Sequence, residues 1–353
     1  MSEKYFLGSM TPGGFVTQFG EYVNSDSFYT YVLKGAAGTG KSSLMKKIAD
    51  RFEESENVTR YYCSSDPDSL DGVVLHSSKA VIVDGTAPHT FDPVYPGSCQ
   101  RVVDLGSCWD NSMLKDKKED IVGAIRKHKE LMSCGAKYSA ALGKICEDTF
   151  CCAEQCLDKQ KLDGFCKRFC KRVFGKSRGY RGRSFTRCLS AMTRYGYYTF
   201  SETLDNYLDV YYLCNDIFAA SNILISAVAG YAVQKGYDVK LSPCMLFGNR
   251  LYEHLLIDEI GVALVSASPL NGLEAAGKRI NMSRFYQKTL WQENKDRLKQ
   301  NAALMRTLKD AAGQMMDKAK QQHDVIESYY INAMDFNAVE KICEKISGEI
   351  SAK

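Results

Sequence analysis

Only seven prolines occur in 353 residues, with 45% apolar and 25% charged side chains, so bulk disorder is excluded and a soluble globular protein is expected. The opening "MSEKYFLGSM" lacks the basic start and apolar core of a signal peptide. A cytoplasmic protein is expected. No long uninterrupted apolar run exists either: "IFAASNILISAVAGYAV" (217–233) is broken by Ser221, Asn222, Ser226 and Gly230, which predicts a buried helix and no membrane span. Histidine is scarce, and none interleaves with the cysteine cluster Cys146, Cys151, Cys152, Cys156, Cys166 and Cys170, whose intervals lack paired C-x₂-C spacing. Fourteen cysteines without a signal sequence are therefore read as thiols.

What is present begins with "YTYVLKGAAGTGKSSLMKKIADRF" (29–52), a β-rich run, a glycine loop and a helical pattern in succession. That is the context a phosphate-binding loop requires. Gly35, Ala36, Ala37, Gly38, Thr39 and Gly40 would turn the backbone N–H groups inward at a helix N-terminus. Lys41 would reach the terminal phosphates, Ser42 would ligate Mg²⁺, and Thr39 and Ser43 could add contacts. Further on, "AVIVDGTAPHTFDP" (80–93) ends an apolar strand in Asp84, which reads as the carboxylate facing Mg²⁺ through a water or as an ordinary strand-end turn. His89 could face the terminal phosphate or be a structural loop residue. Between them "TRYYCSSDPDSLDG" (59–72) offers Asp66 and Asp68. If its strand adjoins the loop strand, Asp66 could act as a base or orient water; a turn and helix cap is the competing reading.

A second copy follows at an offset of 180–182. Met10, Thr11, Gly14 and Thr17 match Met192, Thr193, Gly196 and Thr199, and Tyr31, Leu33, Leu44 and Ala49 match Tyr211, Leu213, Leu224 and Ala229. Val58, Cys63 and Leu70 fall opposite Val239, Cys244 and Leu251. In this copy Asn215, Phe218 and Ala220 replace the glycines, Ser221 and Asn222 replace Lys41 and Ser42, and Ser266 replaces Asp84. Such a loop cannot wrap a triphosphate. Each half then ends in proline-free segments, 112–150 and 283–334, which predict either antiparallel helical hairpins beside the nucleotide fold or plain core helices.

Net charge is +4, but 167–187 carries nine basic residues and no acidic one, which leaves the remainder at −5. The segment reads as a solvated linker, a polyanion or nucleic-acid contact, or a mobile loop offering arginine to the triphosphate.

"LKGAAGTGKSSLMKKI", "CSSDPDSLDG" and "VIVDGTAPH" together resemble an uncharacterised family of bacterial ATP-binding proteins of the P-loop NTPase superfamily that carry two P-loop half-domains in tandem. The resemblance covers the first 110 residues. It implies ATP at Gly35–Ser42 and Asp84 as the acid beside Mg²⁺. The expected architecture is α/β: a three-layer parallel sheet of P-loop type, duplicated, with helical hairpins. A P-loop domain (1–160), a basic linker (161–186) and a degenerate repeat (187–353) are expected. Slow Mg²⁺-dependent ATP hydrolysis is the leading expectation, because Asp84 is followed by Gly85 and no adjacent glutamate activates water. A small-molecule kinase using Lys41, Ser42, Asp84 and Asp66, acting on an unknown acceptor, and a nucleotide-dependent switch are the alternatives.

Overall fold

A computed structural model describes the whole chain except Met1, Pro12, Gly13, Gln18, Pro88, His89, Ile217, Asn249 and Lys353, and except the side chains of Met10 and Phe15. The first half runs β1 (Glu3–Phe6), β2 (Gly8–Thr11), β3 (Gly14–Thr17), α1 (Gly20–Val23), β4 (Tyr29–Lys34), α2 (Lys41–Glu53), β5 (Val58–Tyr62), β6 (Leu70–Leu75), β7 (Ala80–Asp84), β8 (Gln100–Asp104), α3 (Asn111–Asp116), α4 (Lys118–Gln155) and α5 (Lys159–Val173). The second runs β9 (Ser184–Thr186), β10 (Ser190–Thr193), β11 (Gly196–Thr199), β12 (Asp209–Cys214), α6 (Ala219–Lys235), β13 (Val239–Pro243), β14 (Tyr252–Ile257), β15 (Val262–Ala267), β16 (Lys278–Asn281), α7 (Lys288–Glu293), α8 (Lys295–Ala333) and α9 (Phe336–Ser351).

The two six-stranded sheets have one topology. Their orders are β1-β5-β6-β7-β4-β8 and β9-β13-β14-β15-β12-β16, so each strand has a counterpart in the other half. The likeness extends to details. Thr11 Oγ1 donates to the Gly14 carbonyl at 2.7 Å, and Thr193 Oγ1 to the Gly196 carbonyl at 2.9 Å. The register slips between Tyr61 and Tyr62 and, equivalently, between Ser242 and Pro243. The chain is thus a duplicated α/β protein. The all-parallel sheet expected from sequence is corrected: β6 is antiparallel to β5 and β7, and β14 is antiparallel to β13 and β15. Buried strands read as continuous apolar runs, which carry no sign of direction.

Two compact units form, interleaved along the chain: unit 1 holds 1–9, 15–135 and 314–353, and unit 2 holds 10–14 and 136–313. The helices α4 and α8 belong to both. The hairpins expected within 112–150 and 283–334 are corrected as well, because each segment is dominated by one long helix. The antiparallel partner of α4 is α8. In unit 1 His128 Nδ1 meets the Ala319 carbonyl at 2.9 Å, and in unit 2 Asn301 Nδ2 donates to Asp148 at 2.7 Å.

The closing helices are exchanged between the halves. In unit 1, α9 packs beside α2, where Val339, Cys343, Ile346 and Ile350 join Leu44, Met45 and Ile48 in the core. Burying each of its three branched aliphatic side chains contributes about 1.5–3 kcal/mol. The Glu349 carboxylate accepts from Tyr31 (3.1 Å) and Arg101 (2.8 Å). In unit 2, α5 packs with α6, and Cys166, Phe169 and Cys170 pack in the core with Tyr211, Leu224 and Val228. Asp335 caps α9 by accepting from Asn337 N and Ala338 N, and Asp158 caps α5 by accepting from Lys161 N. The apolar run at 217–233 lies largely in α6, and no described helix is long and apolar enough to cross a membrane.

Candidate functional site

The β4–α2 junction is a glycine turn that leads from the sheet into a helix N-terminus. Gly38 (φ +76°) and Gly40 (φ +86°) are left-handed, a conformation that favours glycine, and Gly40 caps α2 with no side-chain hydrogen bond. The first N–H groups of α2 therefore have no side-chain acceptor at the cap. Lys41 turns back over the loop, donating to the carbonyls of Gly35 (2.8 Å) and Ala36 (2.7 Å). Its ammonium lies 3.6 Å from the Asp84 carboxylate, both side chains being nearly buried. Thr39 is buried and braces the turn by donating to the Ala36 carbonyl at 2.9 Å. Ala37 is half-buried, and Ser43 is exposed. A helix N-terminus without a side-chain cap, its dipole and an ammonium brought to one turn can hold an anion.

Three further segments frame this junction. Asp84 ends β7, next to β4 in the sheet, and accepts from Thr86 N (2.8 Å) and Thr86 Oγ1 (2.5 Å). The following Gly85 has no room for a side chain, since a Cβ there would stand 2.4 Å from Val32 Cγ1. The 63–70 segment is the second. β5 does not adjoin β4, because β6 and β7 lie between them, so the strand adjacency considered for Asp66 is absent. Its loop nevertheless reaches the junction: Leu70 N donates to Ser42 Oγ at 2.9 Å. Asp66 is buried and accepts from Ser69 Oγ at 3.0 Å, consistent with the turn reading, while Asp68 offers its carbonyl to Lys46 at 2.6 Å.

The third segment is α8, contributed by the other half of the sequence. A Cβ on Gly38 would stand 2.7 Å from the Glu327 carbonyl oxygen, so helix and loop touch backbone to backbone. Lys320 lies 3.5 Å from Asp66 and also pairs with Asp324. Burial works against the Lys320 ammonium, but the Asp324 hydrogen bond and the Asp66 charge outweigh it and raise its pKa. Burial, reinforced by the His128 ring, lowers His323 to about 4, and its Nδ1 lies 3.6 Å from the Glu327 carboxylate. Burial raises the Glu327 carboxyl, with Lys320 and Lys41 opposing and Asp324 and Asp66 adding to the shift. His323, Asp324 and Glu327 are the one group among the described residues with metal-ligand spacing, their ligand atoms within 4.8 Å of one another. The Lys320 ammonium already neutralises Asp324, so no metal is assigned there.

The equivalent β12–α6 junction is filled by the protein itself. Leu224, Ile225, Val228, Ala229 and Ala232 are buried on α6 as Leu44, Met45, Ile48, Ala49 and Phe52 are on α2, which holds the offset at 180. Yet α6 begins at Ala219, two residues earlier in that register, so helix replaces part of the loop. The Asp216 carboxylate accepts from Ser221 N at 2.7 Å and from the Tyr286 hydroxyl, which in turn accepts from Ala220 N at 3.2 Å. Asp216 is 3% exposed. Phe218 takes a left-handed φ of +72°, costing about 1–3 kcal/mol, and packs edge-on against Phe247, which contacts Phe150. The donors that would face an anion are occupied, and aromatic rings close the turn.

No family model, curated protein or solved structure matches the chain.

The remaining sequence candidates fall elsewhere. His89 lies outside the described residues. The basic segment follows the sheet edge of unit 2: Arg183 pairs with Asp238 at 2.8 Å, Arg178 pairs with Glu259 and stacks on Tyr237, and Ser184–Thr186 forms β9. All fourteen cysteines are free thiols; Cys156, Cys166 and Cys170 lie in the core of unit 2, and Cys152 is buried. The α8 residues escaped the sequence reading because a charged helix face reads as solvated. Their signal was a polar stripe, Lys320, His323, Asp324 and Glu327, at i, i+3, i+4 and i+7 on one helix face.

Proposed function

We propose that the chain is an ATP-binding protein of P-loop type with one nucleotide site, at Gly35–Ser42, and that it hydrolyses ATP slowly with Mg²⁺. The observation that carries this reading is the contrast between two equivalent junctions. In the first, left-handed glycines leave the helix N-terminus without a side-chain acceptor, and Lys41 lies over the turn beside Asp84. In the second, Asp216 accepts from Ser221 N and the Tyr286 hydroxyl from Ala220 N. The residues present fit a magnesium triphosphate: N–H groups and Lys41 for the phosphate oxygens, and Ser42 and Asp84 as the oxygen donors a hard cation prefers. Such an ion would supply charge neutralisation at the phosphates. Lys41 would exchange its two carbonyl acceptors for phosphate oxygens, and Thr39 would hold the turn open through Ala36.

The kinase reading needs an acceptor site and a free base. Asp66 is engaged by Ser69 and Lys320, which favours water as the acceptor. Titration with ATP and Mg²⁺ followed by phosphate release tests the proposal. Lys41→Ala is expected to weaken binding at least tenfold while leaving the fold intact. Unchanged affinity in that variant refutes the site, and transfer of label from ATP to a metabolite in a cell extract would favour the kinase.

A further inference from the structure

The proposed nucleotide site lacks a group to activate water, and the chain explains why none follows Asp84. Gly85 lies against Val32 so closely that no side chain fits. Asp84 is hydrogen-bonded twice by Thr86 and faces Lys41, and Asp66 is held by Ser69 and Lys320. The carboxylate must come from another segment. One segment touches the glycine loop backbone to backbone, α8 at Glu327.

We propose that Glu327, carried by the second half of the sequence, is the catalytic carboxylate that activates water at the nucleotide site of the first half. The inference rests on the ATPase reading above. A circuit of contacts surrounds the junction: Gly38 against Glu327, Lys320 on the same helix face to Asp66, Asp66 to Ser69, and Leu70 to Ser42. Glu327 sits in that circuit two methylenes from the loop contact, half-buried, with the neutral His323 ring beside its carboxylate. Burial raises its carboxyl above the ordinary carboxylate range, with Lys320 and Lys41 opposing, a shift in the direction that strengthens a general base. In the step, the water oxygen bonds to the terminal phosphorus and its proton passes to the Glu327 carboxylate. The bond from that phosphorus to the bridging oxygen breaks, and its electron pair leaves on ADP. Atoms and charge balance with ADP and inorganic phosphate as products. The role also explains why a half with a filled loop is retained: its long helix completes the working site.

The test compares the full-length wild type with Glu327→Gln, which keeps size and hydrogen bonding and removes basicity. Two readouts are taken: ATP affinity, from the ATP-induced rise in melting temperature, and the identity of the nucleotide recovered from the complex, alongside phosphate release. Glu327→Gln is expected to bind ATP within about threefold of wild type, to release phosphate at least tenfold more slowly, and to yield bound ATP where wild type yields ADP; positioned general bases contribute about 10²–10⁴-fold. Equal phosphate release by the two proteins overturns the role of Glu327 and leaves the ATP site standing. ATP binding by wild type without any phosphate release also overturns it. If wild type binds no ATP, the underlying site assignment fails and this inference fails with it.

Discussion

Asp216→Ala should destabilise unit 2 by an amount that the hydrogen bonds of the β12–α6 junction determine. The substitution removes the acceptor of Ser221 N at 2.7 Å, a capping interaction whose loss costs about 1 kcal/mol. It also strips the acceptor from the buried Tyr286 hydroxyl, and an unsatisfied buried donor costs about 1–3 kcal/mol. Together these give roughly 2–4 kcal/mol, or on the order of 5–15 °C in the melting of a unit this size. The chain contains its own reporter. Its two tryptophans fall one to each unit, and Trp291 packs 4.8 Å from the Tyr286 ring. In a Trp109→Phe background, urea unfolding followed by Trp291 fluorescence isolates unit 2. Asp216→Asn, which keeps one acceptor oxygen, should fall between wild type and Asp216→Ala. A loss below about 0.5 kcal/mol for Asp216→Ala would show that the carboxylate does not hold this junction closed.

The stability of unit 2 should also depend on pH through two adjacent buried groups. Glu253 is fully buried, accepting from Tyr197 (2.7 Å) and Asn271 (3.0 Å), and burial raises it to about 7. The folded state therefore holds a proton that the unfolded state releases above its ordinary value of 4.5, and that stability is lost as pH rises through about 7. His254 is buried neutral and lowered to about 3, so its contribution is lost as pH falls below 6.5. A plateau near pH 5–6.5 with decline on both sides is expected, and Glu253→Gln should abolish the alkaline decline in urea unfolding read by Trp291. In unit 1, Gly38→Ala combines a left-handed φ with a Cβ 2.7 Å from the Glu327 carbonyl, and should cost about 1–3 kcal/mol. Trp109, 5.5 Å from Tyr330 on α8, should register the displaced helix as a change in native fluorescence.

Much of the fold was readable where local patterns repeat. The β4–loop–α2 junction followed from glycine spacing and apolar periodicity, and the offset of 180–182 set β4, β5 and β7 opposite β12, β13 and β15, while the pairs β1/β9 and β8/β16 emerged only in the structure. Strand direction was not readable, since the apolar runs of β6 and β14 look alike in either orientation. The exchanged helices α5 and α9 were hidden for a related reason: an amphipathic stripe states that a face is buried and is silent about what covers it. At the candidate site, Gly35–Ser42 and Asp84 came from motif spacing, whereas Glu327 meets Gly38 and Lys320 meets Asp66 only through tertiary packing of a segment more than two hundred residues away. Asp216 went unnoticed because, in a loop stripped of glycine and lysine, one more polar residue resembles decay rather than an internal ligand.

The central claim is one nucleotide site in a duplicated chain, and binding stoichiometry tests it most directly. Calorimetric titration of the full chain with ATP and Mg²⁺ should give one site per chain, abolished by Lys41→Ala and retained in Asp216→Asn. Two sites, or one site that survives Lys41→Ala, would contradict it.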